Sequence, residues 1–84
     1  MIVIDGTEIT LEMDRYKDGT YLLYTREVVN DGGGKETVIG DHVPAETAHS
    51  IMRRYNENDP TICGMIHTIL TMRANIDLVK GAAL

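Results

Sequence analysis

The sequence predicts an α+β domain, an antiparallel meander of three or four strands followed by two helices packed on one face of the sheet. Three observations carry this. The first half is punctuated by Asp5-Gly6, Asp18-Gly19 and Asp31-Gly32-Gly33-Gly34, and Asp-Gly is a strong hairpin signal because the tight turn needs positive φ at its centre. The runs between these signals alternate apolar and polar residues or are dense in β-branched and aromatic ones. Near His42-Val43-Pro44 the pattern then changes to helical spacing, which divides one 84-residue domain into a meander over 1–42 and a helical pair over 43–84.

Met1 to Ile4 is a short first strand. Thr7 to Lys17 alternates at Ile9, Leu11 and Met13, Thr20 to Val29 makes the next strand, and Lys35 to Ile39 follows the glycines. A two-residue turn at Asp18-Gly19 sets Lys17 opposite Thr20, Met13 opposite Tyr24, Leu11 opposite Arg26 and Ile9 opposite Val28. Side chains alternate faces with period two. One face then holds Ile9, Leu11, Met13, Leu22, Tyr24 and Val28. The other holds Glu8, Thr10, Glu12, Asp14 and Tyr16 beside Tyr21, Leu23, Thr25, Glu27 and Val29. The Asn30-Asp31-Gly32-Gly33-Gly34 loop leaves the register of the last strand open.

Pro44 suits the first position of a helix, and Ala48, Ile51, Met52 and Tyr55 recur at i, i+3, i+4, i+7. Asn56-Glu57-Asn58 ends this helix. Asp59 caps a second one that opens with Pro60. Within it Ile62, Met65, Ile69, Met72, Ile76, Val79 and Ala83 follow a 3-4-3-4-3-4 spacing, a heptad seam. Helix from Pro60 to Val79 is about 30 Å long at 1.5 Å per residue, the full diameter of a chain this size (about 30 Å). The first helix is too short to cover the seam, so Ile62, Met65, Ile69, Met72, Ile76 and Val79 are the expected homodimer interface.

The formal net charge of −5 falls wholly in residues 1–42, where nine acids face four bases; the second half balances. An acidic half repels a phosphate backbone, which argues against direct nucleic-acid binding. Duplex mimicry gains little either, since alternate strand residues place carboxylates about 6.8 Å apart where DNA carries a charge every ~1.7 Å. No apolar run approaches the length of a membrane helix, and the opening residues have no basic stretch of a secretion signal. One cysteine, Cys63, fits a reducing cytoplasm.

Chemical motifs are sparse. Cys63 and His67 stand four apart on a helix and could share a metal ion. Two ligands do not make a site unless His42 and His49 converge on them. The glycine-rich loop lacks the spacing of a phosphate cradle, and a strand rather than a helix follows it. Carboxylates on an open face have no burial to raise their pKa for acid–base work. The expectation is therefore a non-enzymatic protein-interaction module without metal or cofactor: a small acidic homodimer, of the inhibitor or accessory type found in phage and mobile elements. Its partner is a basic protein, met by Glu8, Glu12, Asp14, Tyr16, Tyr21 and Glu27, because tyrosines interleaved with acids mark contact surfaces. The alternative is a small regulatory domain that binds a metal or small ligand between sheet and helices through His42, His49, Cys63 and His67.

Overall fold

The computed structural model describes residues 1–30 and 33–83, with side chains through Met72. Four antiparallel strands, β1 (Ile2–Ile4), β2 (Thr7–Arg15), β3 (Tyr21–Glu27) and β4 (Glu36–Val43), lie in the order β1-β2-β3-β4. Helices α1 (Ala45–Asn56) and α2 (Pro60–Ala83) follow. This is the α+β meander and helical pair that the sequence pattern implies. No helix among the described residues is long and apolar enough to cross a membrane.

The β1–β2 turn behaves as its Asp-Gly pair requires, with both Asp5 (φ 51°) and Gly6 (φ 78°) in the left-handed region. The second Asp-Gly does not. Tyr16 N–H donates to Thr20 O (2.8 Å) and Gly19 N–H donates to Tyr16 O (3.0 Å), so Lys17, Asp18 and Gly19 form a three-residue loop that ends in Gly19 at φ 86°. A turn closed one residue early and finished by a left-handed glycine is the common three-residue hairpin. Asp18 supports it by accepting from Thr20 N–H (2.9 Å) and Thr20 Oγ1 (2.6 Å).

The extra loop residue shifts the expected register by one. Met13 faces Leu23, Leu11 faces Thr25 and Ile9 faces Glu27. With a period of two, that slip exchanges the faces of β3. Leu23 and Thr25 become the most buried side chains of the strand, whereas Leu22, Tyr24 and Arg26 turn to the other side. Strand β4 runs further than its sequence suggests, because register shifts opposite Tyr21/Leu23 and Leu23/Tyr24 let it bend onward to Val43. Its approach from the loop needs a glycine at Gly34, where a Cβ would stand 2.1 Å from Glu27 O.

Both helices cover the face that bears Ile9, Leu11 and Leu23. Ile2, Ile9 and Leu11 pack with Tyr55, Ile62 and Ile66, flanked by Ile4, Ile39, Ile51, Met52, Cys63 and Leu70. The α1 stripe of Ala48, Ile51, Met52 and Tyr55 thus faces inward as its spacing implies. Pro44 stands just before the helix rather than at its first position. Asp59 caps α2 through Thr61 N–H (2.9 Å) and Ile62 N–H (3.2 Å), and its other oxygen takes Arg54 Nε (3.1 Å).

On α2 the inward side is Ile62, Cys63, Ile66 and Leu70, which shares only Ile62 with the heptad series. Of the expected dimer seam, Ile62 belongs to the protein's own core, Ile69 is half-buried, and Met65 and Met72 are exposed at 57% and 56%. The side chains of Ile76 and Val79 lie outside the described residues. The reason is angular: at about 100° per residue the inward stripe of Ile62, Ile66 and Leu70 is centred on Ile66, which leaves Ile69 at its margin, about 60° off, and turns Met65 and Met72 roughly 100° and 120° away.

The Tyr55 hydroxyl ties α1 to the sheet. It accepts from Ile2 N–H (3.3 Å) and donates to Ile9 O, joining the two residues that face each other across β1 and β2. Tyr55→Phe should lower stability by about 1–3 kcal/mol, the cost of stripping a partner from buried backbone groups, read as a lower urea midpoint. Burial also raises the phenol above its free value of 10.0. The neutral form is the folded one, so stability is intact below pH 10 and falls as pH rises beyond it; Tyr55→Phe should flatten that alkaline loss. At the other end of the scale, the Ile62 amide and the Arg54 guanidinium hold Asp59 below 3.8. Its contribution is present above that value and is lost as pH falls through the lowered pKa. Asp59→Asn retains a capping oxygen and loses the charge, so it should shrink the acid-induced drop in thermal midpoint measured from pH 5 to pH 2.

Candidate sheet-face interface

Because the helices occupy one side, the even-numbered residues of β2 and β3 face outward uncovered. Across the sheet they form rows fixed by the register. Thr10, Arg26 and Glu36 make one row, Glu12, Tyr24 and Val38 the next, and Asp14 and Leu22 a third. Val3 joins from β1 opposite Glu8. Val3 and Val38 are 55% and 43% exposed, and Tyr24 and Leu22 are half-buried by their neighbours.

The charges on this face are unbalanced but not uniform. Arg26 bridges Glu12 (3.2 Å) and Glu36 (3.1 Å) and lies 5.9 Å from the centre of the Tyr24 ring. Glu12 first, then Glu36, stabilises the guanidinium in its charged form. Desolvation, followed by the nearby Asp14 and Glu12 carboxylates, raises the Tyr24 phenol, which stays neutral and able to donate a hydrogen bond. Glu8 and Asp14 make no ion pair among the described residues. Four carboxylates against one guanidinium leave the face acidic, with an aromatic ring near its centre and aliphatic side chains around it.

The six expected contact residues separate. Glu8, Glu12 and Asp14 lie on this face. Tyr21 and Glu27 lie on the helix side, a correction that follows from the one-residue register shift. Tyr21 meets the His49 ring edge-on at 5.2 Å. Glu27 accepts from Lys35 N–H (2.8 Å) and helps line a small cleft of about 130 Å³ beneath Leu70. Tyr16 stands at the hairpin end, stacked on His42 at 4.4 Å with its hydroxyl donated to Asp41 (2.7 Å). There His42, itself at φ 51°, reaches the loop through its own Nδ1, which lies 3.5 Å from Asp18 and 3.1 Å from Thr20 Oγ1. Arg26, which the two-residue turn sets opposite Leu11, likewise lies on this face, opposite Thr10, and brings a base to it. Tyr24, Arg26, Leu22, Glu36 and Val38 are the face residues that the sequence reading missed. The signal that finds them is the parity of the Asp18-Gly19 loop.

His42, His49, Cys63 and His67 do not come together. His42 is on the β4 bulge, His49 beside Tyr21, Cys63 against the core and His67 exposed on α2. Among the described residues no three His, Cys, Asp or Glu side chains are grouped to hold a metal ion. The arrangement of the open face suits recognition: exposed carboxylates for cations, a phenol that can donate, and apolar side chains to be desolvated. No family model matches the chain, and no curated protein and no solved structure matches it.

Proposed function

We propose that this protein is a non-catalytic interaction module that engages a basic partner protein through its open sheet face, as an inhibitor or accessory protein in the reducing cytoplasm. The observation that carries the reading is the one-sided sheet. Two helices bury one face, while the other keeps Tyr24, Leu22, Val3 and Val38 accessible among Glu8, Glu12, Asp14 and Glu36. Apolar and aromatic groups rimmed by like charges favour a partner that supplies the opposite charge and covers the apolar area.

Self-association belongs to the same proposal and uses the flank of α2 beside its core stripe. Met65, Ile69 and Met72 form an outward stripe there, with Gly64 and Thr68 beside it in a shallow depression. Thr68 and Thr71 donate their hydroxyls back to Gly64 O (2.9 Å) and His67 O (3.0 Å) of their own helix, which leaves their methyl groups for the surface. The heptad spacing of the stripe is the one that a second copy of the same helix complements.

Two measurements test these claims. Glu8→Lys with Asp14→Lys reverses two exposed charges that hold no ion pair. The double variant should keep the wild-type thermal midpoint and lose at least about tenfold in affinity for a basic protein captured from the native cell. Undiminished capture removes the face from consideration. For self-association, light scattering should give twice the 9.3 kDa chain mass, and Met65→Glu with Met72→Glu should give a folded monomer. A wild-type protein that stays at the single-chain mass at high micromolar concentration refutes the dimer.

A further inference from the structure

The two edges of the sheet are built differently. Strand β4 is interrupted twice in its register and carries His42 in the left-handed region. Bulges and irregular backbone of this kind guard an edge against added strands. Strand β2 is the opposite case. It pairs with β3 through seven consecutive residues without a bulge, yet β1 covers only Thr7–Ile9 of its other side.

The direction of the free groups follows from the ladder. Glu8 O accepts from Val28 N–H (2.9 Å) and Tyr16 N–H donates to Thr20 O (2.8 Å), so even residues of β2 bond toward β3. Ile9 O faces the Tyr55 hydroxyl on the β1 side. By alternation the N–H and C=O groups of Leu11, Met13 and Arg15 point out of the sheet at the edge β1 does not reach. Among the described residues none of them has a partner. Where the line of β1 would continue, a groove of about 310 Å³ opens between Thr10, Leu11, Tyr55, Asn56, Asn58 and Met1.

We infer that the Leu11–Arg15 edge of β2 accepts an extended segment of the partner protein as a fifth strand, antiparallel to β2, with basic side chains at alternate positions. Strand addition of this kind takes affinity from the main chain and specificity from alternate side chains. Here the alternate positions on the open side meet Glu12 and Asp14, so Lys or Arg belongs there; the positions between bring N–H and C=O to Leu11, Met13 and Arg15. A second copy is the poorer occupant. Two β2 edges paired about Met13 would set Glu12 against Asp14 of the other chain on the same face, twice, and like charges directly opposite are destabilising. This inference rests on the proposed basic partner and adds its backbone conformation and point of entry.

The test uses the full chain labelled with nitrogen-15 and three synthetic peptides: acetyl-Lys-Val-Lys-Val-Lys-Val-Lys-amide, the same peptide N-methylated at its valines, and the same N-methylated at its lysines. Paired as inferred, the valine N–H groups face β2 and the lysine N–H groups face away. The parent peptide should slow hydrogen exchange at Leu11, Met13 and Arg15 by about tenfold or more at saturation. N-methylation at valine should weaken binding by at least about tenfold, and N-methylation at lysine should leave most of it. Shifts confined to Glu12, Tyr24 and Val38, with unchanged exchange at the three edge amides and equal binding of both methylated peptides, overturn the edge while leaving the face reading intact. No shift with any peptide at millimolar concentration overturns both. Protection of the same amides in peptide-free protein as its concentration rises assigns the edge to a second copy and overturns the partner strand.

Discussion

Gly19 sets the parity of the whole sheet. Its left-handed backbone (φ 86°) completes a loop of three residues rather than two, and a strand has only two faces to choose between. From that single count it follows that Leu23 and Thr25 enter the core, that Arg26 comes to lie between Glu12 and Glu36, and that Tyr24 stands on the open face. The core reinforces the choice. A slip back by one residue would bring Arg26 and Tyr24 beneath the helices and expose Leu23, burying a guanidinium without its carboxylates. Loop chemistry and burial therefore agree, and agreement across levels gives a chain one register rather than two.

The helices divide their work unequally. Helix α1 is amphipathic in the ordinary sense, with a narrow inward stripe and Arg53 in its last turn on the exposed side. Tyr55 at its end reaches into the β1–β2 pair, so the short first strand is held by a side chain as well as by its ladder. Helix α2 spans 24 residues, about 36 Å at 1.5 Å per residue, comparable with the longest dimension of the molecule, 39 Å. It is apolar on two sides. One side closes the core through Ile62, Ile66 and Leu70, and the other displays Met65 and Met72. A small chain rarely leaves such a stripe uncovered, since burying it elsewhere is worth roughly 25 cal/mol for each Å².

Much of this was legible in the residues alone, and what was not has a physical cause. Strand and helix order, the Asp59 cap, the α1 stripe and the left-handed Asp5-Gly6 turn all follow from local chemistry, because each depends on neighbours within four positions. The β2–β3 register depends instead on how many residues a turn uses, and Asp18-Gly19 is compatible with two counts. A count of two puts Tyr21 and Glu27 on the open face, and a count of three puts Tyr24 and Arg26 there instead. On α2 the heptad spacing was correct as arithmetic. It could not say which of two apolar stripes meets the sheet, a question settled by the angle at which Ile62, Ile66 and Leu70 reach Ile2 and Ile9. The candidate site was thus visible as acidic strand residues Glu8, Glu12 and Asp14, and invisible in its aromatic and basic members.

The acidic face and the unguarded edge meet on one strand, and that coincidence has a consequence for selectivity. An exposed strand edge is normally a hazard, because any extended chain can pair with it. Carboxylates at alternate positions along the edge restrict the choice. Glu12 and Asp14 repel another acidic strand, including a copy of this one, before main-chain hydrogen bonds form. They attract a basic strand from a distance, and steering of this kind weakens as salt rises. The same two side chains would therefore protect the protein from pairing with itself and select what pairs with it. The ion pair that draws Glu12 toward Arg26 leaves Asp14 the less compensated of the two carboxylates. In the inferred strand addition, discrimination between basic and neutral strands would therefore concentrate at Asp14, at the hairpin end of the edge and away from β1.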